Sequence, residues 1–102
     1  MGLSVFLRDE QGGVLEEVHD PTNLLHRLLP AIEDLSFPCL RFVDWYGDTV
    51  FNGLQMECVV PELDRLHGIA TTREEHDLVA KLERMAERCK SEVHLYLKFN
   101  GD

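Results

Sequence analysis

The final third of the chain constrains the fold most, because a long amphipathic helix leads directly into an alternating strand. Apolar side chains recur every three or four positions across residues 73–90, and Thr72 and Glu75 have the spacing of a capping box. The segment "EVHLYLKF" (92–99) then alternates between apolar and polar residues, which is typical of a strand with one buried face. The residues expected on that face are Val93, Leu95, Leu97 and Phe99.

A β-hairpin is predicted near the start of the sequence. The segments "LSVFLR" (3–8) and "VLEEV" (14–18) are both rich in residues that favour strands. Gly12 and Gly13 lie between them and can adopt the positive φ angles that tight hairpin turns require.

A helical region is predicted after the hairpin. Asp20 is a good N-cap, and Pro21 is tolerated at the first helical position because its missing N–H has no helical partner there. Pro30 interrupts the apolar pattern and predicts either a kink or two short helices. The apolar residues at helical spacing are Leu24, Leu25, Leu28, Leu29, Ile32 and Leu35.

The middle of the sequence predicts a strand followed by another helix. "CLRFV" (39–43) is a short apolar run bounded by turn residues, which favours a buried strand. "TVF" (49–51) either forms a second short strand or runs into the next helix, for which Asn52 and Gln55 provide a capping-box pattern. Pro61 interrupts this helix, so a new helix start at Pro61 is the alternative. Its apolar residues are Leu54, Cys58, Val59, Leu63 and Leu66.

Together these segments give the order ββ-α-β-(β)-α-α-β. Because striped helices and a one-sided sheet must bury their apolar faces against each other, the sequence predicts a two-layer α+β sandwich. The sheet is expected to be small and mostly antiparallel, with the helices on one face. No repeat or linker is visible, so residues 1–102 are predicted to form a single α+β domain.

The charge of the chain excludes some classes of partner. The formal net charge is −9, with seven acids and two bases in residues 1–38 against seven and six in residues 71–102. Proteins that bind nucleic acids or anionic membranes usually present a basic face, so we expect neither partner. An acidic surface serves either solubility or the attraction of a basic protein. Because no secretory signal or long apolar segment is visible, we expect a cytoplasmic protein.

The sequence shows no pattern typical of a metal site, a nucleophile or a phosphate-binding loop. We therefore predict no catalytic residue, no metal and no cofactor. Cys39, Cys58 and Cys89 are widely spaced in apolar surroundings and are expected to be buried free thiols. A metal site assembled from distant residues, for example His67, His76 and Cys58, stays open as an alternative.

The segment "FVDWYGDTVFN" (42–52) contains four of the eight aromatic residues. Phe42 and Phe51 lie in apolar runs and are expected to be buried. Trp45 and Tyr46 are adjacent on a turn, so both cannot point into one core and at least one should be exposed. An exposed aromatic beside carboxylates is typical of a binding hot spot.

Asp44 and Asp48 flank these aromatic residues. Aspartates in turns usually bond the backbone, which is the role we favour. Together with acidic residues of the predicted hairpin, they would supply a field that attracts a basic protein. The residues expected to bind the partner are Asp44, Trp45, Tyr46, Asp48, Glu16 and Glu17.

Two segments resemble a group of short bacterial proteins of unassigned function. They are D-x-Y-G-D-T-V-F-N-x-x-Q, from Asp44 to Gln55, and the ending "LYLKFNGD". Some members of such groups resemble immunity proteins, the cytoplasmic antidotes encoded beside secreted toxins. The resemblance spans most of the chain and implies a binding role without catalytic residues. Pro61 departs from the smooth helix expected after the first segment.

The expected function is therefore a non-enzymatic module that binds and blocks a basic partner such as a toxin enzyme. One alternative is a small metal-dependent hydrolase, in which Asp44, Asp48 and one histidine share a divalent ion or act as acid and base. Another is an oligomeric structural subunit, in which the aromatic turn is a patch for self-association.

Overall fold

The computed structural model describes residues 2–101, which form one four-stranded antiparallel sheet and three α-helices. The strands cross the sheet in the order β2-β1-β4-β3, and the helices pack against one of its faces. The predicted two-layer α+β sandwich is confirmed. The elements are β1 (Ser4–Asp9), β2 (Val14–His19), α1 (Leu25–Leu28), β3 (Asp48–Asn52), α2 (Met56–Arg65), α3 (Arg73–Ser91) and β4 (Leu95–Asn100).

The predicted hairpin and its glycine turn are confirmed in β1 and β2. The Asp9 carboxylate accepts hydrogen bonds from the backbone N–H groups of Gln11 and Gly13, at 3.0 and 2.7 Å, and Gly12 has a φ of +87°. A residue with a Cβ atom is strained at that angle, which explains the glycine. The register between the strands shifts after Leu7.

The long helix and the final strand form the centre of the core. The capping box is confirmed: the Glu75 N–H donates to Thr72 Oγ1 (3.1 Å), and the Thr72 N–H donates to the Glu75 carboxylate (3.2 Å). The predicted apolar stripe of α3 lies against the sheet, where β4 presents alternate side chains. The buried residues of these two elements include Val79, Leu82, Met85, Ala86, Cys89, Leu95, Leu97 and Phe99.

The final strand is shorter than predicted. It begins at Leu95, and Val93 is 80% exposed instead of buried. His94 has a φ of +61°, a left-handed conformation that interrupts an extended chain. The alternating pattern is therefore correct from Leu95 onwards and wrong at Val93.

The predicted helical region after the hairpin is mostly not helical. Only Leu25–Leu28 form α1, and Leu29 is already extended with ψ of 146° because it precedes Pro30. The Asp20 carboxylate does bond the start of this helix, accepting from the N–H groups of residues 24 and 25 at 2.8 and 2.7 Å. Ile32 and Leu35 lie beyond the helix and are 49% and 75% exposed.

The segment 39–43 is not a strand, so this prediction is wrong. Its centre, Leu40–Phe42, is a turn of 3-10 helix. The N–H groups of Cys39 and Leu40 donate to the buried carboxylate of Glu62 on α2, at 3.1 and 2.8 Å, and thus need no neighbouring strand. Phe42 is 53% exposed instead of buried.

The second strand of the middle region forms, as β3, and occupies the edge of the sheet. The reciprocal bonds between Asn52 and Gln55 also form, at 2.8 and 3.0 Å, immediately before α2. Leu54 lies in this turn and is 88% exposed, whereas Met56 takes the buried position. Pro61 does not divide the helix and lies on its exposed side.

Candidate functional site

The segment 42–48, which we call the aromatic turn, is held in one conformation by hydrogen bonds. Asp44 accepts at Oδ1 from the Tyr46 N–H (2.9 Å) and donates its own N–H to Thr49 Oγ1 (2.9 Å). The N–H of Gly101 donates to the Gly47 carbonyl oxygen (2.7 Å). The predicted role of Asp44 as a residue that bonds the turn backbone is therefore confirmed.

The two segments that carry the resemblance lie side by side, because β3 pairs with β4. Asp48 faces Asn100 in this pairing, and Gly101 follows directly against the aromatic turn. A Cβ atom at position 101 would collide with the carbonyl oxygen of Trp45. The contact explains why a glycine stands here and why the two segments belong to one structural unit.

The two adjacent aromatic residues have different environments. Tyr46 is 84% exposed. Trp45 is half-buried, packs against the core and meets the ring of His26 edge-on at a centroid distance of 5.2 Å. The expectation that at least one of them is exposed is confirmed for Tyr46. Trp45 instead anchors the turn to the core.

Of the two carboxylates of the turn, one is paired with a cationic side chain among the described residues and the other is not. Asp48 lies 3.3 Å from the ammonium group of Lys98, which reduces its contribution to the local field. Asp44 is exposed and, within residues 2–101, has no ion-pair partner. Among the described residues of the turn, Asp44 is therefore the carboxylate whose charge no ion pair offsets.

The structure does not bring Glu16 and Glu17 to the aromatic turn. They lie on β2, at the opposite edge of the sheet from β3, about 14 Å away for three strand spacings. Glu16 points to the helix side, where it accepts from Arg88 at 3.0 Å, and Glu17 lies 3.7 Å from His19. The six residues predicted to bind the partner thus divide into a group of four at the turn and a distant pair.

The structure also shows where metal ligands come together. Within residues 2–101, two groups of three potential ligands occur, and neither contains Asp44 or Asp48. The groups are Cys39, Cys58 and Glu62, and Asp64, His67 and Glu83.

The distant histidines considered from the sequence are indeed neighbours. The rings of His67 and His76 stack with their Nδ1 atoms 2.8 Å apart, and His67 Nε2 lies 2.7 Å from Glu83. Cys58 belongs to the other group of ligands and not to this one. A single site of His67, His76 and Cys58 is therefore not formed.

A cleft that the sequence did not indicate lies at the opposite end of β3 and β4 from the aromatic turn. It encloses about 520 Å³. Its lining includes Leu54 and Val93, which are 88% and 80% exposed, together with His94 and Tyr96. The sequence patterns placed both Leu54 and Val93 in the core, so they gave no sign of the cleft.

Comparisons with known proteins give no assignment, because no family model, no curated protein and no solved structure matches the chain. None of the helices formed by residues 2–101 combines the length and apolar character needed to cross a membrane. Functional inference therefore depends on the geometry of the site.

Proposed function

We propose that this protein is a non-enzymatic cytoplasmic module that binds a basic protein partner, in the manner of an immunity protein that blocks a toxin or another enzyme. The observation that carries the proposal is the exposed ring of Tyr46 on a turn whose backbone is fixed by hydrogen bonds. Cys39, Cys58 and Cys89 are all free thiols, which is consistent with a reducing compartment.

A fixed aromatic turn suits protein recognition for an energetic reason. Tyrosine is enriched among residues that dominate binding energy, since it offers a large contact area with few rotatable bonds. The hydrogen bonds of Asp44 and Gly47 order the backbone before binding. Less conformational entropy is then lost when the partner binds.

The charge of the protein adds speed and selectivity to this contact. The net charge is −9, and Asp44 stands uncompensated beside Tyr46 in the described chain. Complementary potentials accelerate the encounter with a basic partner and disfavour acidic ones. Glu16 and Glu17 contribute to the overall field and not to the contact surface at the turn.

Cross-linking from the turn identifies the partner. Tyr46 is replaced by the photoreactive residue p-benzoyl-phenylalanine, and the cells that produce the protein are irradiated. We expect a basic protein to be cross-linked and identified by mass spectrometry. The same residue placed at Leu54, which is equally exposed but lies at the far end of β3, is the matched control. Equal cross-linking from both positions, or none from position 46, contradicts the proposal.

The kinetics of the identified complex test the electrostatic part. Asp44→Asn should slow association and reduce its dependence on ionic strength, with little change in dissociation. Glu87→Gln is the control, because it removes one exposed charge from the C-terminal half of α3. An equal effect of both variants would show that only net charge matters and that Asp44 has no local role.

Self-association is a second candidate function, and the edge strand β3 favours it. Val50 on this strand is 53% exposed, and unpaired edge strands can pair with a second copy. Light scattering coupled to size-exclusion chromatography measures the molar mass directly. A stable dimer that Val50→Lys dissociates would support this candidate.

The remaining alternative, a metal-dependent hydrolase, has less geometric support, because the carboxylate of Asp48 is already paired with Lys98. Calorimetry with Mg²⁺, Mn²⁺ and Zn²⁺ tests it. Binding that Asp44→Asn abolishes would favour the hydrolase.

A further inference from the structure

Two cysteines and a buried glutamate meet where the segment after Pro38 contacts α2. Cys58 and Glu62 are four residues apart and lie on one face of the helix, and Cys39 approaches from the facing segment. One ligand atom from each residue, two thiol sulfurs and a carboxylate oxygen, all lie within 4.8 Å of one another. We call these three residues the thiol cluster.

The thiol cluster is rich in groups that can be anionic and has no cation. Glu62 is 3% exposed, and its carboxylate accepts from the N–H groups of Cys39 and Leu40 and from the Cys58 thiol (3.0 Å). None of these donors carries a positive charge, and Glu62 has no ion-pair partner within residues 2–101. Buried carboxylates are usually paired with a cation or a metal. The arrangement is therefore suited to a positively charged ligand.

The thiol of Cys58 is protonated in the absence of such a ligand. The hydrogen bond to Glu62, followed by burial and the neighbouring Cys39, raises the pKa of Cys58 to about 12. A free thiolate would be repelled by the carboxylate. A metal ion would remove this repulsion, because it neutralises the thiolates and the carboxylate together.

We propose that Cys39, Cys58 and Glu62 form a binding site for a thiophilic divalent cation of the Zn²⁺ type. Two sulfurs and one carboxylate oxygen provide three ligands, and water completes a tetrahedron. Each thiol loses its proton to solvent, so one ion is bound and two protons are released. The second oxygen of Glu62 stays available for the backbone N–H groups. This inference is independent of the proposed binding function.

The distances need little adjustment for such an ion. With metal–sulfur bonds of about 2.3 Å and tetrahedral angles, neighbouring ligand atoms lie about 3.5–3.8 Å apart. The ligand atoms of the cluster already lie within 4.8 Å of one another. Side-chain rotations that move these atoms by about an ångström are therefore enough to reach the distances of a tetrahedral site. Both cysteines are half-buried and leave a path for the ion.

Titration with Co²⁺ tests the site. The protein is kept reduced and free of oxygen, and thiolate-to-metal absorption is measured in the near ultraviolet. We expect one Co²⁺ per chain with two protons released on binding, the intense visible bands of tetrahedral cobalt, and displacement by one equivalent of Zn²⁺ with no further proton release. Metal bound by Asp64, His67 and Glu83 would give no thiolate band, so the readout separates the two groups.

Three serine variants locate the ligands. Cys39→Ser and Cys58→Ser should abolish the thiolate band, whereas Cys89→Ser should keep it, because Cys89 is buried elsewhere with its thiol directed to the Leu95 carbonyl oxygen. Circular dichroism checks that each variant is folded. The proposal is overturned if reduced wild-type protein with three titratable thiols shows no thiolate band, or if the band survives in either of the first two variants.

Discussion

Replacing Glu62 by alanine should destabilise the fold strongly. Glu62 lies on α2, is 3% exposed, and accepts from the backbone N–H groups of Cys39 and Leu40. Alanine leaves both donors without a partner. An unsatisfied buried donor costs about 1–3 kcal/mol. Leu40 is fully buried and Cys39 is half-buried, so water can partly replace the second bond. We expect a total loss of about 2–4 kcal/mol from the free energy of unfolding.

Urea unfolding followed by far-ultraviolet circular dichroism measures this loss, with a chelator present so that metal binding does not contribute. Glu62→Gln should cost less, about 1–2 kcal/mol, because its side-chain carbonyl oxygen still accepts while the charge is lost. Glu87→Ala is the surface control and should stay within about 0.5 kcal/mol of wild type. A Glu62→Ala variant within about 1 kcal/mol of wild type would refute the role of this carboxylate in holding the segment 39–43.

Three further measurements test the local structure. Thr72→Ala should lower the free energy of unfolding by about 0.5–2 kcal/mol through loss of the cap of α3, and unchanged urea stability would contradict the capping box. Hydrogen bonds from Arg27, then from the residue 71 N–H, lower the pKa of Glu75 to about 2 from its ordinary 4.5. The contribution of ionised Glu75 to the free energy of unfolding is therefore complete above about pH 4.5 and declines as the pH falls towards 2. The urea concentration at the midpoint of unfolding should therefore fall as the pH is lowered across this range, and it should fall less in Glu75→Gln. An equal dependence on pH in the two proteins would contradict this role of Glu75. Trp45→Ala should cost about 1–3 kcal/mol of stability and Tyr46→Ala less than about 0.5, whereas equal losses would contradict their different burial.

Elements with a local signal were predictable from the sequence. The capping box at Thr72 and Glu75 and the alternation from Leu95 to Phe99 involve residues a few positions apart, so their patterns specify the structure directly. The hairpin is similar, because its turn needs only Gly12 and the Asp9 carboxylate. The apolar faces of the predicted helices and of the predicted sheet were sufficient to predict the fold class.

Elements that depend on distant residues were not predictable. The run 39–43 has the composition of a strand, yet it becomes a 3-10 turn because Glu62, more than twenty residues later, satisfies its N–H groups. Pro30, by contrast, is a local signal that predicted the interruption of the helix, but the sequence did not show that the described residues around Leu35 would form no second helix. In both cases the apolar pattern alone predicted more regular structure than forms.

The candidate site divides in the same way. Because Trp45 and Tyr46 are adjacent, the sequence predicted that at least one of the two rings is exposed. That the exposed ring is Tyr46 depends on the packing of Trp45 against His26, which is a tertiary contact. The separation of Glu16 from the turn depends on the strand order β2-β1-β4-β3, which long-range pairing decides. For the thiol cluster, the sequence contained one local indication, which is the spacing of Cys58 and Glu62 on α2. The position of Cys39 beside them is a tertiary contact that no local pattern predicts.

The affinity of Tyr46→Ala for the cross-linked partner tests the central claim most directly. Both this variant and Leu54→Ala remove a large exposed apolar side chain, and they differ in which end of β3 is changed. Surface plasmon resonance should show that Tyr46→Ala weakens binding by more than about 5-fold, equivalent to more than about 1 kcal/mol, while Leu54→Ala leaves it unchanged. A folded Tyr46→Ala variant that binds as tightly as wild type would contradict the assignment of the aromatic turn as the recognition surface.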